Sequence, residues 1–268
     1  MAGEAPTFRW PRFLLGAIIT ILSACAPHVF VPPVGPGEPF PQASQAWSEA
    51  TRACRGASTY AATLHVRGKV ARESLSANII TLVTRADQIS LSVPVMFGSP
   101  AFVLGGSADS ATLWLPRNER VLTARADEIL EALTGLRLGP RALMAVLSGC
   151  VAEADAITES ARYGPLGAIT TADGRVFLEQ RDMRWVITRG LTAGLIVEYS
   201  DIQGDWPRAL RITTEAGHAP AVSLSMTIDQ IDVNLPHEAK DFVVKVAPNT
   251  APMTLDDLRA AGPLREKK

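Results

Sequence analysis

Residues 59–70, TYAATLHVRGKV, alternate in a way that few folds tolerate: Tyr60, Ala62, Leu64, Val66 and Val70 fall on one side of an extended chain and polar partners on the other. Successive side chains of a strand point to opposite faces, so this two-residue rhythm predicts a half-buried strand. The rhythm continues through SLSANIITLVTR, QISLSVP, AFVLGG, SATLWLP and ERVLTAR, separated by the turn-prone pieces ARE, ADQ, GGSAD and PRNE. Short strands joined by tight turns make an antiparallel meander. Gly105-Gly106-Ser107 reads as one of the turns between strands. After Ile157 the strands return, with LGAITTA and RVFLEQ around the hairpin signal Asp173-Gly174, then RWVITR, GLIVEYSD, RALRITTE and VSLSMTIDQIDVN. Asp182, Gly190, Asp205-Trp206-Pro207 and residues 217–220 are read as turns.

The period changes in three places. SQAWSEATRACRG puts Ala46, Trp47, Ala50 and Cys54 near one helical face, with Ser44 as N-cap and Gly56 as stop. Between the two runs of strands, Ile129, Leu130 and Leu133, then Leu143, Val146, Leu147 and Cys150, recur at helical spacing. Gly135, Gly139 and Pro140 split that stretch into two short amphipathic helices. A last short helix follows Thr254, with Asp257 placed for a capping box. The predicted order is helix, about six strands, two helices, about six strands, and the class is mainly β (α+β). So long an antiparallel sheet curls, and its apolar concave face needs a cover. The central helices, apolar on one side, are predicted to be that lid.

Upstream of the folded pattern, Arg9 and Arg12 precede an uncharged run of about a dozen residues from Phe13 to Ala24. That is the layout of an export signal, and it is shorter than the roughly 20 residues a spanning helix needs. Leu22-Ser23-Ala24-Cys25 resembles the bacterial lipobox, which implies a signal peptide over residues 1–24 and lipidation of Cys25. Residues 25–42, dense in proline and glycine, are expected to be a lipid-anchored spacer, and residues 43–268 one domain. Ala26, where an aspartate would favour inner-membrane retention in such lipoproteins, resembles an outer-membrane address, with the domain facing the periplasm.

With Cys25 assigned to lipid, Cys54 and Cys150 remain as an even pair in an oxidising compartment, and a disulfide between them is expected. The chain carries 26 basic and 27 acidic residues; without Arg9, Arg12 and Glu4 there are 24 and 26. Nucleic-acid binding normally needs a basic field, so no nucleic-acid partner is expected.

An exported chain with an initial helix, a strand opening in LHVRGKV, a turn at VPVMFGSPAFVL, a helical pair ending in LSG and a closing TIDQIDVNLPHEAKDFVVKVAP resembles the LolA/LolB superfamily over roughly residues 46–248. The resemblance implies an incomplete β-barrel around an apolar cavity, closed by helices, that receives acyl chains of lipoproteins. In the receptor branch the protein is itself lipidated, and an apolar loop between early strands helps deliver cargo to the membrane. Met96 and Phe97 occupy that place here and are the candidate membrane-facing loop. Leu133, Leu143, Met144 and Leu147 are candidates for the acyl cavity or lid. A Cys54–Cys150 bridge has no counterpart in the receptor branch and would restrain a lid that opens.

Enzyme signals are weak. His28, His65, His218 and His237 lie far apart, and His237-Glu238-Ala239-Lys240-Asp241 begins like the zinc-protease pattern but has Asp241 where the second histidine belongs. No G-x-S-x-G, S-x-x-K or G-x-x-x-x-G-K occurs. The expectation is a non-catalytic protein without metal or cofactor that binds acyl chains and aids their transfer to the outer membrane. The alternative is a scaffolding lipoprotein that grips a protein partner in the envelope with the same curved sheet.

Overall fold

In the computed structural model, residues 30–95, 98–152, 156–217 and 220–261 are described. Helix α1 (Ala43–Gly56) precedes six strands: β1 (Thr59–Val70), β2 (Glu73–Thr84), β3 (Gln88–Val93), β4 (Phe102–Ser107), β5 (Ala111–Leu115) and β6 (Arg120–Ala124). Helices α2 (Ala126–Thr134) and α3 (Pro140–Ser148) follow. The second run comprises β7 (Glu159–Tyr163), β8 (Leu166–Thr171), β9 (Gly174–Arg181), β10 (Arg184–Thr192), β11 (Leu195–Gln203), β12 (Trp206–Thr214) and β13 (Val222–Val233), before β14 (Ala251–Pro252) and α4 (Leu255–Ala261).

All fourteen strands form one sheet in the order β14-β6-β5-β4-β3-β2-β1-β13-β12-β11-β10-β9-β8-β7. Two meanders meet where β1, the first strand, pairs with β13, so the earliest and the latest long strands form the middle of the sheet. Pairing is antiparallel except for β14, which runs parallel to β6. The edge strands β7 and β14 do not join, so the sheet is an open, curved barrel with helices over its concave face. Register shifts at Ala62/Leu64 against β13 and at Ile187/Arg189 against β9 mark bulges, which bend and twist the strands that carry them.

Alternation decides which face is concave. On β1, Ala62, Leu64 and Val66 are buried, and on β13 Val222, Leu224, Met226 and Ile228 are buried while Ser225, Thr227 and Asp229 are exposed. Helix α1 packs on β8 and β10 through Ala43, Ala46 and Trp47, and α2 packs against α4. The capping box of α4 forms as predicted: the Thr254 amide donates to the Asp257 carboxylate at 2.9 Å, and the Asp257 amide to Thr254 Oγ1 at 3.1 Å.

Several local readings are corrected. Helix α1 begins one residue before Ser44, after Gln42, whose side chain makes no capping hydrogen bond. Gly56 is the last helical residue rather than the stop; the terminal carbonyls are instead taken by Arg85, which donates to Cys54 O at 2.9 Å and Ala57 O at 3.0 Å. Gly105 and Gly190 lie inside β4 and β10, not in turns. A Cβ at Gly105 would stand 2.6 Å from the Phe242 carbonyl oxygen, and one at Gly190 would stand 1.9 Å from a Val151 methyl. Both glycines admit a crossing segment rather than a change of direction. The residues His237–Asp241, which begin like a metal motif, form a capping box: the Glu238 amide donates to Asp241 Oδ2 at 2.8 Å.

Chain contacts separate residues Met1–Gly35 from a compact unit, Pro36–Lys268. Within the latter, Glu38 and Arg162 of β7 exchange backbone hydrogen bonds of 2.9 and 2.8 Å. Phe40 is buried with its ring 5.3 Å from that of Trp185. Glu38 and Phe40, within the stretch read as spacer, are therefore tied to the sheet.

Candidate functional site: an apolar cavity under a two-helix lid

The α2–α3 hairpin owes its shape to its glycines. Gly135 ends α2 with φ 73° and Gly149 ends α3 with φ 86°, left-handed conformations that cost glycine little. Gly139 and Pro140 open α3, where proline's missing amide leaves no hydrogen bond unmade. At nine residues and 1.5 Å per residue, α3 is about 13 Å long. It lies across the sheet and touches β2, β3 and β12.

The two ends of α3 are held differently. At its C-terminal end Cys150 is disulfide-bonded to Cys54 of α1, with Cα atoms 5.8 Å apart. Nearby, Tyr199 Oη donates to Val146 O at 2.9 Å. Burial pushes the Tyr199 hydroxyl well above its usual pKa, so it stays protonated as a donor. At the N-terminal end Arg141 reaches Asp87 Oδ2 and Arg85 O, both at 3.1 Å, in an exposed ion pair of the kind that contributes little. In the link, Arg137 donates to Asp127 Oδ2 at 3.1 Å while Arg125 holds Oδ1 at 3.1 Å. Desolvation pushes the Asp127 carboxyl up, but the Arg137 hydrogen bond and the two guanidinium charges outweigh it, leaving the pKa below the usual carboxylate range. The lid is thus fixed covalently at one end and by apolar packing and exposed ion pairs elsewhere.

Between lid and sheet is a cavity of about 60 Å³. The lid contributes Leu130, Leu133, Thr134, Leu136, Leu138 and Leu143. The sheet contributes Leu64 and Val66 of β1, Leu75 and Ile79 of β2, Leu91, Phe102, Ile212, Leu224 and Met226. Among the described residues that line it, Thr134 alone has a polar side chain, and its hydroxyl donates to Leu130 O at 2.7 Å. A wider pocket of about 260 Å³ adjoins the cavity, sharing Leu75 and Leu133 and bordered by Val70, Glu73, Glu131 and Pro220.

Of the residues singled out from the sequence, Leu133 and Leu143 line the cavity. Met144 and Leu147 are buried in the adjoining core without lining it. Cys25, Met96 and Phe97 lie outside the described residues. Leu130, Leu136 and Leu138 were missed as cavity residues. Their signal is compositional: LTGLRLGPRAL carries more leucine than two short amphipathic faces need. Among the described residues no group of three or more His, Cys, Asp or Glu side chains is placed to hold a metal ion, and no helix is long and apolar enough to cross a membrane.

No protein-family model and no curated protein matches the chain. In fold it is similar to a LolA superfamily protein from Nitrosomonas europaea, at 8% identity over 74% of this chain and 97% of that one, with a TM-score of 0.49. It is similar to a DUF1329 family protein from Desulfovibrio piger, at 8% identity over 74% and 96%, TM-score 0.44. It is also similar to an outer membrane lipoprotein-sorting protein domain from Vibrio parahaemolyticus, at 13% identity over 74% and 95%, TM-score 0.43. These likenesses concern the path of the chain, and too few residues are shared for roles to pass from one protein to another.

Proposed function

We propose that the chain is a non-catalytic, acyl-chain-binding lipoprotein of the cell envelope. Anchored in the outer membrane through lipid on Cys25 and facing the periplasm, it receives acyl chains of lipoproteins or lipids under the α2–α3 lid and aids their transfer or insertion. The observation that supports the reading is the leucine-lined cavity beneath a lid secured covalently at one end only.

Volume dictates the mechanism. The cavity of about 60 Å³, even with the adjoining pocket of about 260 Å³, reaches only the lower end of the roughly 300–1,000 Å³ of ligand pockets, so a whole chain is housed as lid side chains leave. The five lid leucines act as an internal ligand. Exposing them costs about 8–15 kcal/mol, at about 1.5–3 kcal/mol each. Burying about 14 acyl methylenes returns about 11 kcal/mol, at ~0.8 kcal/mol each. The two are matched, as reversible loading requires.

The same small volume favours a second reading, a scaffold whose core is simply full and which binds a protein partner. Native mass spectrometry of the full chain extracted from envelopes separates the two. Co-purifying lipid or acylated peptide, lost in Leu143→Asp, supports the carrier; a clean apo mass that takes up no fatty-acyl probe supports the scaffold. In the same spectra a diacylglyceryl mass that disappears in Cys25→Ser tests the anchor.

A further inference from the structure

The strands that line the cavity build a different feature on their outer face. On β1, His65 and Arg67 alternate with the cavity residues Leu64 and Val66. Register places Arg67 opposite Ser225 of β13, and Ser225 opposite Arg211 of β12. The two arginines thus flank one serine, each a single strand spacing of about 4.8 Å away. One rung along, Thr227 lies between His65 and Ala209. These residues line an open groove of about 650 Å³.

Among the described residues no acidic side chain lines the groove. The carboxylates nearest in register already have partners: Asp229 takes Nε2 of His65, at the rim of the groove, at 2.6 Å, and Glu198, the cross-strand neighbour of Arg211 on β11, faces Arg189 at 3.5 Å. Arg67 and Arg211 make no ion pair among the described residues, and Arg211 Nε is buried without a hydrogen-bond partner. Arg67 is exposed and Arg211 half-buried, so both guanidinium groups are accessible from the groove they line.

We propose that this groove binds a phosphate group, held between Arg67 and Arg211 and accepting hydrogen bonds from the Ser225 and Thr227 hydroxyls beneath it. Arginine forks match phosphate oxygens in bidentate fashion. Donors arriving from two sides and from below suit a tetrahedral anion better than a planar carboxylate. A phospholipid headgroup and a soluble phosphate present the same chemistry, and the site is independent of the acyl cavity because it lies on the opposite face of the sheet.

Isothermal titration of the full chain in non-ionic detergent with inorganic phosphate is expected to give saturable binding that weakens at least tenfold in the Arg67→Gln/Arg211→Gln variant. Thermal unfolding checks that the variant folds, and phosphate is expected to raise the midpoint of the native chain but not of the variant. Dihexanoyl phosphatidylglycerol that competes with phosphate and binds more tightly identifies a lipid headgroup as the ligand. Phosphate binding without such competition identifies a soluble phosphate. Absence of saturable phosphate binding, or binding that survives the double substitution, overturns the proposal.

Discussion

Truncating the link between the lid helices separates a plug from an ordinary core. Leu136 and Leu138 are buried, at 3% and 8% exposure, and both line the cavity. Replacing both with alanine removes buried side-chain atoms at about 2 kcal/mol or more per site, so global stability is expected to fall by roughly 4 kcal/mol. If these leucines leave the sheet when the lid opens, the open form loses little, because they are already in water there. At about 1.5 kcal/mol each, the closed-to-open equilibrium then moves by roughly 3 kcal/mol toward open. A ligand whose affinity is limited by the open fraction tightens by that amount, up to about a hundredfold at 1.4 kcal/mol per tenfold. Urea denaturation reads the first quantity and titration of a fluorescent fatty acid the second. A variant that loses the stability yet binds no more tightly refutes the plug and makes these leucines plain core.

Three further outcomes are expected. Replacing Cys54 and Cys150 with alanine opens a loop of 96 residues and is expected to cost up to about 4–5 kcal/mol in urea unfolding, while stopped-flow mixing shows faster uptake of the fatty-acyl probe. His65 is held by hydrogen bonds to Asn78 Oδ1 at 2.5 Å and to Asp229, which raise its pKa. Its NMR midpoint should therefore lie above the usual value of about 6.5 and fall in Asn78→Ala. Because the folded pKa is the raised one, its contribution is full below the unfolded pKa and is lost as pH rises through the folded one. Gly105→Ala forces a methyl to within 2.6 Å of the Phe242 carbonyl, and a loss of about 1–3 kcal/mol is expected in thermal unfolding; an unchanged midpoint would show that residues 239–242 do not rest on β4.

What was legible in the sequence follows the range of the forces involved. Two-residue alternation is local, so the long strands were readable; so was the break between α2 and α3, since Gly135, Gly139 and Pro140 act on their own backbone. Gly105 and Gly190 misled because a glycine that admits Phe242 or Val151 has the same spelling as one that turns the chain. Phe40, in a proline-rich stretch, owes its burial to Trp185, more than a hundred residues away. Leu133 and Leu143 were legible as lid residues through helical spacing. That Leu143 reaches the cavity while Met144 and Leu147 do not depends on the angle at which α3 crosses the sheet, which no local pattern encodes.

An open sheet of this width has two free edges, each a template on which another chain could lay a strand. Both are blunted. Outside β6, among the described residues, lies only the two-residue β14, ending on Pro252, which has no amide to offer. Along β7 the backbone of Arg162 is already satisfied by Glu38, in a segment flanked by Pro36, Pro39 and Pro41. The described edges are therefore poorly suited to strand exchange or edge-to-edge polymerisation. A partner must be met through the faces of the sheet or through the loops at its ends.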